Sequence, residues 1–149
     1  MSSRSSLLRS LLLLIALFAI PTLACAFSAS TARVTNAVMA GDVQGDNFDP
    51  VGVADAYLTD QPKFHAVVSL SNAPSDTKVK AVWVAVDVGE AAAPNTTLDQ
   101  TEVTVEGSRN IDFTLTPDSG GWPPGQYKVD IYLNDKLDRT LNFTVKGRA

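Results

Sequence analysis

Residues 127–145 carry the clearest alternation in the chain. Tyr127, Val129, Ile131 and Leu133 alternate with Lys128, Asp130 and Tyr132, which is the period of a strand with one face buried. Leu141, Phe143 and Val145 alternate with Thr140, Asn142 and Thr144. Between the two runs stands Asn134-Asp135, a pair that tolerates the positive φ of a tight hairpin turn. The same period predicts a strand over residues 64–71, with Phe64, Ala66, Val68 and Leu70 on one face and His65, Val67, Ser69 and Ser71 on the other. Ile111, Phe113 and Leu115 predict another over residues 111–116. Residues 33–40 read as a first strand with Val34 and Val38 inward, and residues 101–105 as a short one. Residues 78–88 are rich in Val around Trp83 and read as a central strand covered on both faces.

The segments between these runs are rich in turn formers. Residues 72–76 (Asn-Ala-Pro-Ser-Asp) and 106–108 (Glu-Gly-Ser) read as turns, and residues 89–97 as a loop. Residues 41–62 hold many Gly, Asp, Asn and Pro and read as a long connection, with room for a short strand near residues 54–58. No helical period follows residue 26. The expected class is all-β: an antiparallel sandwich of about seven strands.

The N-terminus has a different composition. Arg4 and Arg9 precede an apolar run over residues 11–20, then Pro21, then Ala24-Cys25-Ala26. This order of basic, apolar and small residues is that of a signal peptide, and the apolar run is short of the about 20 residues a membrane span needs. The expectation is a signal peptide over residues 1–26, cleavage after Ala26, and one domain over residues 27–149, periplasmic or secreted. Cys25 is the only cysteine and offers an alternative, lipidation, which would place the protein on a membrane. Ala24 suits a lipoprotein signal, but Thr22 stands where an aliphatic residue belongs. Cleavage after Ala26 leaves no cysteine, so no disulfide can staple the fold.

Charge narrows the partners. Removing Arg4 and Arg9 leaves ten basic residues against sixteen acidic ones, a net charge of −6. That balance argues against nucleic acid and anionic lipid. Oligomeric state is left open.

Two aromatic positions carry a resemblance. Trp83 lies inside the third long strand, and Tyr127 opens the penultimate one in Gly125-Gln126-Tyr127-Lys128-Val129. Over residues 31–145 the chain resembles a bacterial immunoglobulin-like, or fibronectin-like, domain, in which a Trp packs in the core and a Tyr forms a corner. The antibody-type cysteine pair is absent, with Val129 standing where the second would lie. The tail is also similar to small exported bacterial domains ending in Gly-Trp-Pro-x-Gly-x-Tyr-x-Val and Phe-x-Val strands, a group without assigned activity. The resemblance therefore implies an immunoglobulin-like β-sandwich and no function.

Candidate chemistry is sparse. The one histidine, His65, is expected on the outer face of its strand, and no Gly-x-Ser-x-Gly marks a nucleophile. One His with no mature Cys does not suit zinc, and no cofactor is expected. Asp42, Asp46, Asn47 and Asp49 are hard oxygen donors of the kind calcium takes, but their spacing is not that of an EF-hand and they also suit ordinary turns. Asn95-Thr96-Thr97 and Asn142-Phe143-Thr144 fit the glycosylation pattern, which the bacterial leader discounts. Trp122, in Gly120-Gly121-Trp122-Pro123-Pro124, reads either as an exposed loop-tip aromatic or as a plug for the open end of the sandwich.

The expected function is an exported, non-catalytic binding domain that contacts another cell-envelope protein. Its contact surface would be the Trp122 loop with residues 41–62, or the last strand pairing with a partner strand. The alternative is a carbohydrate-binding module for cell-wall or extracellular polysaccharide, acting through Trp122, Tyr132 or Tyr57. An enzyme ranks last.

Overall fold

The computed structural model describes residues 31–118 and 120–148. The expected signal peptide and Cys25 lie outside the described residues. Seven strands are present: β1 (Arg33–Gln44), β2 (Asp49–Val53), β3 (Ala56–Leu58), β4 (Phe64–Asp87), β5 (Thr96–Leu115), β6 (Gly125–Leu133) and β7 (Lys136–Lys146). They form one hydrogen-bonded sheet in the order β2-β1-β4-β6-β7-β3, with β5 on β4. Every pairing is antiparallel except β3 with β7. Among the described residues there is no α-helix, only a 3-10 turn at Gly89–Ala91.

The strand count matches the expectation, but the division differs. Residues 72–76 and 106–108 do not end strands; they bend them. Asn72 (φ 53) and Asp76 (φ 68) take left-handed conformations, the pairing of β4 with β5 slips between Leu70 and Ala73 and again before Thr77, and Gly107 (φ 76) accommodates the bend on β5. Residues that tolerate positive φ can form a bulge as readily as a reversal. Two expected strands thus merge into β4 and two into β5. Residues 41–62 are correspondingly more ordered than expected. They complete the β1–β2 hairpin and contribute β3, which pairs with the end of β7.

β5 runs along one side of β4 for most of its length. On the other side, β1 pairs with residues 65–71 and β6 with residues 79–87. The two halves of β4 bury their inner faces in one core. Phe64, Ala66, Val68 and Leu70 come from the first half, and Val79, Ala81, Trp83 and Ala85 from the second. Phe143 joins them, with ring centroids 4.9 Å from Phe64, 6.3 Å from Trp83 and 5.4 Å from Tyr127. Burying each large apolar side chain contributes about 1.5–3 kcal/mol. Trp83 is held by packing alone, because its indole N–H has no partner among the described residues.

One inward assignment is wrong. Val34 is buried in the core, but a slip in register between Val34 and Asn36 reverses the alternation, so Ala37 and Met39 point inward. Val38 pairs with Val67 and is only half-buried on the outer face. The β6–β7 hairpin has the expected two-residue turn: Leu133 pairs with Lys136, and Asn134 (φ 48) and Asp135 (φ 65) are both left-handed.

Candidate functional site

β5 presents a strand edge that no other strand covers among the described residues. β2 and β3 close the two ends of the main path with only 5 and 3 residues. β5 is 20 residues long and pairs with β4 alone among the described residues. From Thr97 to Glu102 every β5 side chain is exposed, and Val103 and Val105 are half-buried. Cross-strand partners assign the faces. Thr101 lies opposite Ala81 and Val103 opposite Val79, so Asp99, Thr101, Val103 and Val105 share the inner side. Glu102 lies opposite Lys80, so Gln100, Glu102, Thr104 and Glu106 share the outer side. Even inner-side residues are exposed, which means that this end of β5 overhangs the core. The edge carries Asp99, Glu102 and Glu106. Lys78 Nζ approaches Glu102 at 3.2 Å, and both partners are well exposed. Leu98 forms a bulge, since Val84 pairs with Thr97 and Trp83 with Asp99. Charges and bulges are the usual devices by which an open edge avoids indiscriminate pairing.

The last strand is covered in part: over residues 136–143 its only strand partner among the described residues is β6. Residues 144–146 of β7 pair in parallel with β3, and Arg139 donates from a guanidinium nitrogen to the Val34 carbonyl at 2.9 Å, tying β7 to β1.

Two of the three aromatics expected to bind lie inside the molecule. Trp122 is only 6% exposed; its ring lies 4.3 Å from that of Phe64, and its Nε1–H donates to the Gln61 carbonyl at 2.7 Å. Two adjacent glycines and Pro123 let the loop turn inward, and the Trp122 amide donates to the Thr59 carbonyl at 2.9 Å. Trp122 therefore plugs the end of the core and is not an exposed loop-tip aromatic. Tyr57 packs against Phe64 and donates to the Ala54 carbonyl at 3.0 Å. Burial pushes its phenol up to about 12. Tyr132 faces outward as expected, half-buried, with Lys80 Nζ 4.9 Å from its ring centre. Tyr127 forms the expected corner by donating to the Pro123 carbonyl at 2.6 Å, and burial raises its pKa as well.

Beside Trp122 lies a cleft of about 320 Å³, lined chiefly by Val88, Leu98, Leu115, Trp122 and Tyr127. Among the described residues Asp118 is the one charged residue in its lining, with no second acid or base of opposite charge beside it.

His65 is not on an open face. Its Nδ1 sits 2.9 Å from Asp112 Oδ2, and the two side chains are 9% and 10% exposed. A long-range tie lies nearby. Asn110 Nδ2 donates to the Asn47 carbonyl, in the tip of the β1–β2 hairpin, at 3.0 Å. Asn110 lies beside Ser69, four residues along β4 from His65. The tip of the hairpin thus lies beside the β4–β5 pair, and Ala40, His65 and Val67 are buried.

The acidic residues of that hairpin serve the turn. The Asp42 carboxylate accepts from the Val43 amide, and Asp49 from Asn47 Nδ2. Asp46 lies in the tip between them. Among the described residues, no three His, Cys, Asp or Glu side chains converge.

No protein-family model and no curated protein matches the chain in sequence. Solved structures do match. An immunoglobulin-like protein from Pseudomonas aeruginosa has a TM-score of 0.53 at 15% identity, over 80% of this chain and 99% of that one. An alkylpurine DNA glycosylase from Pseudomonas fluorescens gives 0.44 at 14% identity, with 78% of this chain covering 31% of that chain. A GH3 β-glucosidase from Bifidobacterium adolescentis gives 0.43 at 14% identity, with 78% covering 17%. The first of these, matched over nearly its whole length, is similar in fold alone, and with it the described residues take an immunoglobulin-like β fold.

Proposed function

We propose that this protein is an exported, non-catalytic binding domain, built as an immunoglobulin-like sandwich, that contacts another cell-envelope protein through the open edge of β5. The observation that carries the reading is a 20-residue strand paired, among the described residues, on one side only. A row of main-chain donors and acceptors is complementary to another extended polypeptide, which adds as a further strand. The signal peptide expected over residues 1–26 sets the envelope as the place of meeting. Three features favour binding over catalysis: His65 is engaged by Asp112, the end cleft holds the single carboxylate of Asp118 with no second charged group among the described residues, and the hydroxyl of Tyr127 is committed to the main chain. The carbohydrate-binding alternative keeps Tyr132 as its one partly exposed candidate.

Affinity capture from envelope extract tests this reading, with Thr101→Lys as the control. Thr101 is exposed on the inner side of the edge, so the substitution costs within about 0.5 kcal/mol of stability. A strand added beside it would bury the ammonium, which blocks pairing. The expected result is one protein enriched by the wild type and lost with Thr101→Lys. Polysaccharide retained equally by both forms would favour the sugar-binding alternative, and equal recovery of every protein by both forms would refute the β5 edge.

A further inference from the structure

We infer that the strand accepted by β5 is basic on one face and apolar on the other; this rests on the edge-binding reading above and specifies its partner. Over residues 98–106 the edge carries three carboxylates, on Asp99, Glu102 and Glu106, and no basic side chain. Glu102 and Glu106 share the outer side of the strand, four residues or about 13 Å apart. No ion pair engages Asp99 or Glu106 among the described residues. The Asp99 carboxylate only accepts from the Thr101 hydroxyl, at 3.5 Å. Lys78 reaches Glu102, but both side chains stand in solvent, so an incoming cation can share that carboxylate. Arg109 lies beyond the bend at Gly107, outside the segment.

An added strand places its alternate side chains directly beside those of β5. Lys or Arg at two positions four apart would face Glu102 and Glu106. The two residues opposite Val103 and Val105 would fall on the inner side and complete the cover of those valines, which are half-buried now. The same carboxylates act against a second copy of the chain, because a β5–β5 pair brings like charges together, and against acidic strands generally. Specificity of this kind needs the repulsive element as much as the attractive one.

The test uses short synthetic strand peptides with purified protein, read by fluorescence anisotropy and by hydrogen exchange of the β5 amides. One peptide alternates Lys with Val, one alternates Glu with Val, and one is the Lys peptide N-methylated on every residue, so that neither of its edges can donate. The expected result is binding of the Lys peptide with protection over residues 98–106, at an affinity about tenfold above that of the Glu peptide. N-methylation should abolish it, and the double variant Glu102→Lys, Glu106→Lys should reverse the preference. Both substitutions are at exposed positions, and exchange of the remaining amides reports directly whether that variant is folded. Equal affinity for Lys and Glu peptides, with β5 protected by both, would overturn the charge inference and leave edge binding standing. An N-methylated peptide that binds as well as its parent would reveal diffuse electrostatic attraction and overturn both. Absence of binding by every peptide would overturn the basic-strand inference, while envelope capture decides the edge reading independently.

Discussion

Replacing Trp122 with alanine separates a structural aromatic from a binding one. In this fold its ring lies against Phe64 and edge-on to Tyr127, with centroid distances of 4.3 and 6.3 Å, and its Nε1–H holds the Gln61 carbonyl at 2.7 Å. Truncating a buried Trp costs about 3–5 kcal/mol through lost contact and the cavity left behind. The Gln61 carbonyl also loses its donor, although the open end of the fold lets water replace part of that bond. The working figure for Trp122→Ala is therefore about 4 kcal/mol, a large share of the about 5–15 kcal/mol that holds a domain together. Trp122→Phe keeps a ring on Phe64 and loses the N–H bond, for about 1–2 kcal/mol. Urea unfolding followed by circular dichroism reads both. With a slope of about 1.5 kcal/mol per M, the alanine variant should unfold about 2–3 M earlier than the wild type and the phenylalanine variant about 1 M earlier. A shift under about 0.5 kcal/mol for Trp122→Ala, the usual range for surface positions, would refute the plug and return Trp122 to the list of binding residues.

Three further outcomes follow from the geometry. Gly125→Ala should destabilise by at least about 2–3 kcal/mol by the same urea assay, because φ is 154° and a Cβ there would stand 2.3 Å from the Asp87 carbonyl oxygen and 2.8 Å from Val88 Cα. Asp112→Ala should cost about 1–3 kcal/mol, since it leaves the buried His65 Nδ1 without its hydrogen-bond partner; Asp112→Asn, which keeps a polar partner, should cost less. The Tyr57 phenol holds its proton more tightly when folded, up to about 12 against an ordinary 10.0. Its contribution is thus full below pH 10 and is lost as the pH rises from there towards 12. Urea midpoints measured across that range should fall, and Tyr57→Phe should flatten the fall while costing about 1 kcal/mol at neutral pH.

What could be read from the chain was local, and what could not depended on which segments meet. The β6–β7 hairpin was legible because a period-two run, two residues that accept positive φ and a second run are all that such a hairpin requires. Asn72, Asp76 and Gly107 gave equally good turn signals but bend β4 and β5 without ending them. The backbone preference is the same in both cases; whether the chain reverses depends on the neighbouring strand, which continues here. His65 shows the same limit from the packing side. Its alternation correctly set it opposite the Phe64 row, but its pairing with Asp112, 47 residues away, leaves no local mark. The open edge, by contrast, does leave a trace. From Thr96 to Glu102 polar residues occupy both parities, interrupted by Leu98 at the bulge, whereas a strand packed on one face keeps one parity apolar. Such a run is visible as an edge before it is visible as a site. An edge recognises backbone, which every protein has, so the only residue-level information about its partner lies in the few side chains flanking the ladder. On β5 those are Asp99, Glu102 and Glu106, and their common sign is the ground on which we propose a basic partner strand.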